Sequence, residues 1–471
     1  MIFNSLLFGL FICVVLGLYY LPLSWRVRKG ILLLASLSFY GAWRPEYLLL
    51  IGFSTVVDWW VARAMWSSKT MRARRLFLLI SLCSNLGLLA FFKYGNFIVN
   101  NINGLSDVLG SGALVNMPDI LLPVGISFYT FQTLSYTLDI YRGEMKPWGS
   151  FLDFALFVTF FPQLVAGPIV RAQSFQPQCE QPRKVHGRTF LWGWVLFILG
   201  LFQKVVLSDT LLAPVVDLVY QPSLSPGFLD SWMGTLAFSG QIYFDFAGYS
   251  ICAIGVAMML GFELPDNFRS PYASRGFSDF WRRWHISLSS WLRDYLYISL
   301  GGNRCSSARV KFNLFMTMLL GGLWHGASWN FVLWGALHGF FLIGERLLQP
   351  TLKTQQWSRS LLGKVVGWGI TYALVCIAWV PFRARSFGET FEIYKGMVGL
   401  SSSTLIGPRD FLLAGCVVCA MLVAQNYTRH RTLEEVAAKV PVWFLVLILV
   451  GMILLTLTNI GTARAFIYFQ F

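Results

Sequence analysis

The run VWFLVLILVGMILLTLTNI at residues 442–460 contains no charged side chain. A helix needs roughly 20 apolar residues, at about 1.5 Å of rise per residue, to cross about 30 Å of hydrocarbon. The apolar residues are continuous rather than alternating, which favours a helix over a strand of a membrane barrel. This stretch therefore predicts a transmembrane helix.

Similar apolar runs recur along the whole chain, in which 56% of the residues are hydrophobic and 13% are charged. We expect roughly ten to twelve crossings of the bilayer. No polar segment is long enough to bury a core of its own, so we expect a single membrane-embedded domain over residues 1–471. The candidate crossings lie at residues 5–23, 30–43, 47–65, 76–98, 120–140, 189–208, 230–261, 310–346 (as one segment or two), 362–381, 410–425 and 442–460.

The net charge of +15 does not indicate a nucleic-acid-binding protein, because the basic residues lie in short loops between apolar runs. This is the pattern of the positive-inside rule. Basic residues follow the first and third runs, at 26–29 and 63–75, whereas the loop at 99–117 has none. We therefore expect an extracytoplasmic N-terminus.

The stretch at residues 151–171 is apolar but is interrupted by Pro162 and by Gly167 with Pro168. Basic residues flank it on both sides, so a simple crossing would place one basic cluster on the wrong side of the membrane. A re-entrant segment that enters and leaves from the cytoplasm resolves this conflict. The alternative is a kinked crossing that violates the charge rule.

The segment FSDFWRRWHISLSSWLRDYLYISLGGNR at residues 277–304 has the densest set of chemically active side chains. Wound as one helix at 100° per residue, it places its Trp and Leu residues on one arc and its Arg and Asp residues elsewhere. That pattern predicts a helix in the membrane interface. His285 falls at the border of the two faces, and an interfacial histidine without a special role is an equally good interpretation.

His325 lies in LLGGLWHGASW at residues 319–329, among glycines and without a neighbouring charge. An ionisable group at membrane depth is costly and usually marks a pathway or a reaction site, although a lone buried histidine is more often structural. His338 follows thirteen residues later, about 220° around a continuous helix. The two imidazoles can share a site only if the glycine-rich region bends the chain, so His338 is structural by default.

Taken together, these segments closely resemble the membrane-bound O-acyltransferase family, within it the bacterial branch that acylates alginate, cellulose or teichoic acids. The resemblance covers most of the chain and is strongest at residues 120–345. The matching segments are LPVGISFYTFQTLSY at 122–136, FFPQLVAGPIVR at 160–171, YFDFAGYS at 243–250, FWRRWHISLSSWLRDYLYISLGGNR at 280–304 and LLGGLWHGASWNFVLWGALHG at 319–339.

The resemblance implies an all-α integral membrane protein, with a ring of tilted helices, re-entrant segments and a central tunnel. It implies that His325 is the catalytic base or acyl relay and that His285 is a second catalytic residue. The other side chains that it places on the substrate or donor side are Asn267, Arg282, Arg283, Trp284, Trp324 and His338. It assigns phosphate attraction to Arg269 and Arg275 together with Arg282 and Arg283.

The same resemblance implies acetyl transfer from acetyl-CoA or a similar thioester to an exopolysaccharide, without a bound cofactor or metal. The implied location is the bacterial inner membrane. The implied partners are the lipid bilayer, a periplasmic acetyltransferase or esterase-like protein, and a polysaccharide synthase or secretion complex, with no nucleic acid.

Three other functions are compatible with the residues. A transporter or flippase for an acyl or glycan intermediate would also need intramembrane His, Asp and Arg, although we find no internal repeat of the kind that transporters often have. A lipid or protein acyltransferase would use a long acyl chain. A membrane anchor for a synthase complex gives no reason for histidines among glycines.

Overall fold

A computed structural model describes residues 1–112, 114–115, 120–165, 167–354, 360–462 and 464–469. Within these residues the regular structure is helical, and the only β-type pairing is an isolated bridge between Pro226 and Ser403. The predicted all-α membrane architecture is confirmed.

Seven of the described helices are long and apolar enough to cross a membrane, fewer than the ten to twelve crossings that the sequence predicts. They are Pro45–Ser67, Met71–Val108, Gly187–Val219, Phe228–Met259, Trp329–Thr351, Leu361–Arg383 and Pro408–Thr428. The difference arises mainly because three further apolar helices are shorter than a full span. These are Leu6–Tyr19, Phe151–Leu164 and Val442–Thr458.

The chain forms two compact units, of which the first comprises residues 1–194 and 253–265. A buried ion pair within it joins Lys29 Nζ to Asp153 Oδ1 at 2.5 Å, and Lys29 also donates to the carbonyl of Cys179 at 3.0 Å. Its helices are Leu6–Tyr19, Trp25–Gly41, Leu48–Ser67, Met71–Leu89, Gly95–Val108, Ile126–Arg142, Phe151–Thr159, Phe161–Leu164 and Ala172–Glu180.

The broken segment at 151–171 belongs to this first unit. It forms the helices Phe151–Thr159 and Phe161–Leu164, which are interrupted at Phe160, where φ is −50° and ψ is 108°. The side chains of the segment are largely buried by protein. Irregular backbone at membrane depth requires such surroundings, so these features support a re-entrant segment, which stays a prediction.

The second unit comprises residues 195–252 and 266–471 and contains every candidate site residue. Its core is aromatic, with Trp284, Trp334 and Trp379 each less than 2% exposed. Two of its helices, Gly187–Phe202 and Phe228–Met259, also include residues of the first unit. The other helices are Ala213–Val219, Phe277–Trp281, Ile286–Trp291, Ser307–His325, Trp329–Thr354, Leu361–Arg383, Phe387–Met397, Pro408–Thr428, Leu433–Ala437 and Val442–Asn459.

The predicted single interfacial helix at 277–304 is wrong. The segment forms two short helices, Phe277–Trp281 and Ile286–Trp291, and a π-helical turn at Leu292–Tyr297. The break falls at His285, whose φ is +43°, in the left-handed region that non-glycine residues rarely adopt. The backbone amide of Ile286 donates to the carbonyl of Asn267 at 2.9 Å, so a tertiary bond replaces the helical one.

Candidate active site

A tightly packed helical hairpin positions His325. The helix Ser307–His325 ends at the histidine, and Trp329–Thr354 runs back against it. At the crossing, a Cβ on Gly335 would lie 2.5 Å from the Met318 carbonyl oxygen and 3.2 Å from the Cα of Gly322. Only glycine permits backbones to approach this closely, so the glycines that surround His325 in the sequence set the geometry of the hairpin.

His325 is 3% exposed and is surrounded by aromatic rings. The ring centroids lie 4.8 Å away for Trp334, 5.1 Å for Trp324, 5.3 Å for Phe382 and 5.5 Å for Tyr468. An imidazole in apolar surroundings is disfavoured in its charged form. The environment therefore suits a group that accepts and returns a proton during a reaction.

The structure brings His285 into the same site, because its ring contacts two rings that also contact His325. The centroid of Trp324 lies 6.0 Å from the His285 ring and that of Tyr468 lies 6.5 Å from it. His285 is fully buried, and this burial lowers its pKa to about 3. The ring is therefore neutral near pH 7.

Asn267 fixes the tautomer of His285. The Asn267 atom that lies 3.0 Å from His285 Nδ1 also accepts the hydroxyl of Ser287 at 2.9 Å and the backbone amide of Ser287 at 3.4 Å. A backbone N–H can only donate, so this atom is the amide oxygen, and Nδ1 must carry the proton. Nε2 of the neutral His285 ring is consequently the basic nitrogen.

The two tryptophans that the resemblance assigns to the site, Trp324 and Trp284, differ from each other in their surroundings. Trp324 contacts both catalytic candidates, at 5.1 Å from His325 and 6.0 Å from His285. Trp284 lies instead in the aromatic core, 5.0 Å from both Phe268 and Trp379. Trp324 is thus part of the site, whereas Trp284 supports the backbone next to His285.

His338 and His325 contact the same aromatic ring, because the chain turns back between residues 326 and 328. The Trp334 ring lies 4.8 Å from each of the two imidazoles. The bend that His325 and His338 need in order to share a site is therefore present.

The four arginines that the resemblance assigns to phosphate attraction differ in how far carboxylates hold their side chains. Arg283 Nε pairs with Asp279 Oδ1 at 2.9 Å, and Arg429 Nη2 pairs with the other carboxylate oxygen at 2.8 Å. Burial opposes ionisation of Asp279, but the hydrogen bonds and charges of these arginines lower its pKa overall. Arg282, the neighbour of Arg283, is exposed and extends from the end of the helix Phe277–Trp281.

The C-terminal segment is a part of the site that sequence reasoning missed. Tyr468 contacts both candidate histidines, and two buried carboxylates hold the segment that precedes it. Asp209 accepts the backbone amide of Arg464 and Asp245 accepts that of Ile467, each at 2.8 Å. The charges at 204, 209 and 245 stand out in apolar sequence, but nothing in the residue types indicates that backbone amides of the tail are their partners.

Lys204 neutralises part of this carboxylate cluster. Its Nζ lies 2.9 Å from Asp209 Oδ1 and also pairs with Asp245, and all three side chains are at most 3% exposed. One cation between two anions leaves a net negative charge, which the tail amides of Arg464 and Ile467 help to stabilise.

Comparison with known proteins identifies the family of the chain. Residues 144–379 match the model of the membrane-bound O-acyltransferase family, MBOAT. The chain is 41% identical to the probable alginate O-acetylase AlgI of Pseudomonas aeruginosa, over 90% of this chain and 80% of that protein. It is 38% identical to the peptidoglycan O-acetyltransferase of Helicobacter pylori, over 79% of this chain and 74% of that protein. It is 30% identical to the teichoic acid D-alanyltransferase of Streptococcus thermophilus, over 55% of this chain and 68% of that protein.

Proposed function

This chain belongs to the membrane-bound O-acyltransferase family, and on that basis we propose that it is an O-acetyltransferase that moves acetyl from a cytoplasmic thioester across the inner membrane to an exopolysaccharide of the alginate or cellulose type. The observation that carries the proposal is the pair of buried imidazoles, His325 and His285, which contact the same two rings, Trp324 and Tyr468. Relatives named as alginate and peptidoglycan O-acetylating enzymes support the acetyl group and the polysaccharide.

In the proposed reaction, His325 acts as general base. A neutral imidazole takes the proton of an acceptor hydroxyl, the hydroxyl oxygen attacks the thioester carbonyl carbon, and the carbon–sulfur bond breaks. The thiolate that leaves takes the proton back from the imidazolium, so the ring returns to its neutral state. The products are an acetate ester and a free thiol.

Two exposed basic residues of the second unit suit a phosphate-bearing donor. Arg282 and Arg275 are exposed, whereas Arg283 is held by Asp279. We expect Arg282→Gln to raise the KM for acetyl-CoA in a salt-dependent manner, and Arg283→Gln to lower thermal stability instead. If the two substitutions changed the KM and the thermal stability equally, the separate roles of Arg282 and Arg283 would be contradicted.

The acceptor side and the partners follow from the same proposal. An extracytoplasmic acetyltransferase or esterase-like protein receives the acetyl group or completes its transfer, beside a polysaccharide synthase or secretion complex, and the N-terminus lies in the periplasm. The loop charges support this orientation. Protease digestion of an N-terminal tag in intact spheroplasts tests it, since a cytoplasmic tag would stay protected.

The decisive experiment uses purified protein in detergent or liposomes with acetyl-CoA, a polysaccharide fragment and thiol detection. His325→Ala should abolish thiol release and ester formation while the protein still inserts and remains folded. The matched control is His186→Ala, which alters an exposed histidine in a basic loop and should keep wild-type activity. A transporter would leave the thioester intact in both proteins, and activity in His325→Ala would refute the assignment.

A further inference from the structure

The second unit contains a surface cavity that the proposed chemistry does not use. Its volume is about 400 Å³, which is in the size range of small-ligand sites. Residues 219–225, which follow the helix Ala213–Val219, form one wall of it. The other wall is the beginning of the helix Phe387–Met397 with the residue before it.

Hydrogen bonds between distant segments hold the two walls together. The hydroxyl of Ser225 donates to Glu392 Oε2 at 2.9 Å, and the carbonyl of Ser225 accepts the hydroxyl of Ser401 at 2.6 Å. Close by, the buried carboxylate of Asp230 accepts the backbone amide of Leu405 at 2.6 Å. The cavity is therefore formed before a ligand arrives, which lowers the entropic cost of binding.

The cavity presents polar groups that are free to bind a ligand. Gln221 and Ser223 are exposed, and neither side chain bonds to another described residue. The hydroxyl of Ser386 accepts the backbone amide of Glu389 at 3.2 Å, which leaves its proton to donate. Ser223 has a φ of +70°, a left-handed conformation that serine rarely adopts. Such an amide and such hydroxyls both donate and accept, as the hydroxyl groups of a sugar do.

The charged residues of the cavity are acidic. Among the described residues that line it are two glutamates, Glu389 and Glu392, and no Lys, Arg or His. Lys395 Nζ neutralises Glu392, with 2.7 Å to Oε1, whereas Glu389 accepts only the backbone amide of Arg385, at 2.7 Å. One negative charge is thus left to face a ligand, so an anionic ligand would be repelled and a neutral ligand with hydroxyl donors would be accepted.

The helix Leu361–Arg383 connects the cavity to the opposite end of the unit. Near its middle, Thr371 Oγ1 accepts the backbone amide of Gly276, which lies next to the exposed arginines of that segment. At its end, the guanidinium of Arg383 lies 5.6 Å from the ring of Tyr220, a lining residue of the cavity. These two contacts are about 18 Å apart along the helix axis, so the cavity and the arginines lie at different ends.

The loops at the cavity end have the composition of extracytoplasmic loops. Residues 220–228 and 398–407 contain no Lys or Arg, whereas Arg269 and Arg275 precede Gly276 at the other end. By the positive-inside rule, the cavity end therefore faces away from the cytoplasm.

From these observations we propose that the cavity binds one sugar residue of a neutral, hydroxyl-bearing polysaccharide that accepts the acetyl group. A uronate polymer would bring its carboxylates against Glu389. Phe382, the neighbour of Arg383, has its ring centroid 5.3 Å from that of His325, so an acceptor bound at this end is on the opposite side of the proposed base from Arg275. This inference rests on the proposed function and narrows its acceptor to a glucan of the cellulose type.

The first test measures which ligands bind to the purified full-length protein in detergent. Saturation-transfer NMR is recorded with cellotetraose, which is neutral, with tetramannuronate, which has a carboxylate on every sugar, and with tetralysine. We expect binding of cellotetraose alone. Preferred binding of tetramannuronate would overturn the proposal, and binding of tetralysine without cellotetraose would make the cavity a docking site for a basic protein segment instead.

The second test places the binding in the cavity. Ser223→Gly removes a hydroxyl from its wall and suits a positive φ, so the fold should be retained. Its matched control is Ser402→Gly, which alters an exposed serine that does not line the cavity. We expect Ser223→Gly to weaken cellotetraose binding on the order of fivefold, the effect of losing one hydrogen bond, and Ser402→Gly to bind like the wild type.

Glu389→Gln is a second variant of the same wall, and its amide oxygen can still accept the backbone amide of Arg385. It should weaken cellotetraose binding more than Ser223→Gly does, because hydrogen bonds to a charged acceptor are stronger. If both variants bound cellotetraose as tightly as the wild type, the proposal would be overturned.

Turnover separates this inference from the proposed function. With acetyl-CoA as donor, Ser223→Gly should raise the KM for cellotetraose and leave the KM for acetyl-CoA unchanged. If the wild type cleaves no thioester, the proposed acetyl transfer is wrong, and the NMR titration still decides the sugar site. If the wild type acetylates cellotetraose and Ser223→Gly changes neither its KM nor its binding, the sugar site alone is refuted.

Discussion

Replacing Gly335 with alanine should separate the two helices that position His325. The added Cβ would lie 2.5 Å from the carbonyl oxygen of Met318 and 3.0 Å from the Cα of Leu319, both of which are backbone atoms that cannot rotate away. An ordinary C···O contact is about 3.3 Å or longer. The helices must therefore move apart by roughly 0.8 Å, which displaces the imidazole relative to its aromatic neighbours.

The expected cost has a structural and a catalytic component. Overpacking of this kind destabilises by about 1–3 kcal/mol. A misplacement of about 1 Å can reduce the rate of a positioned reaction on the order of 100-fold. We therefore expect Gly335→Ala to lower the melting temperature in detergent and to reduce thioester turnover strongly.

Gly344→Ala is the matched control, because it lies in the same helix and its added Cβ meets nothing within 4 Å. Alanine also favours a helix over glycine by about 1 kcal/mol, so this variant should be as stable as the wild type or more so. Thermal unfolding and thiol release are measured for both proteins. If Gly335→Ala matched Gly344→Ala in melting temperature and turnover, the close packing would not determine the position of His325.

Two further predictions concern buried ionisable groups of the second unit. Lys204→Met should lower the free energy of unfolding by about 3–5 kcal/mol, because Asp209 and Asp245 remain buried without their cation. Adding Asp209→Asn and Asp245→Asn should recover most of this loss. If thermal unfolding showed no recovery in the triple variant, the predicted role of Lys204 would be contradicted. Because burial lowers the pKa of His285 to about 3, the unfolded chain binds more protons and stability should fall as pH drops below about 6.5. Asn267→Asp, which places a carboxylate at His285 Nδ1, should weaken that pH dependence, and an unchanged melting profile would refute the contact.

Much of the helical architecture could be predicted from the sequence, because continuous apolar runs have few alternatives in a bilayer. The 310–346 region illustrates both the success and its limit. Its two segments are the helices Ser307–His325 and Trp329–Thr354, and the glycines around His325 do coincide with a bend. Their close packing depends on which backbone atoms face each glycine, which the residue types do not reveal.

His285 shows why the local geometry of the site could not be predicted. Winding the segment as one helix at 100° per residue assumes helical dihedral angles throughout, and neither glycine nor proline marks a break near His285. The left-handed residue is held by distant partners: Ile286 donates to the Asn267 carbonyl, and Arg269 donates to that of Arg283. Those bonds join residues that lie 19 and 14 positions apart, beyond the reach of a helical turn, so local propensity does not reveal them.

The same reasoning explains why the tail was missed. Lys204, Asp209 and Asp245 are conspicuous charges in apolar helices, and pairing among them could be expected. The further partners of the two carboxylates are backbone amides at Arg464 and Ile467, more than 200 residues away. Every residue except proline has such a group, so the sequence contains no signal for this contact.

The surroundings of the two imidazoles also constrain how protons move during acetyl transfer. The rings in contact with His325 are aromatic, and His285 stays neutral because its burial lowers its pKa to about 3. The charged form of an imidazole is disfavoured among aromatic rings, so an imidazolium must form here in a step that also consumes its proton. In the proposed reaction, the thiolate that leaves the thioester consumes it, provided that acceptor hydroxyl and donor thioester occupy the site together. Thioester cleavage should therefore be slow without an acceptor and should increase when a hydroxyl-bearing acceptor is added.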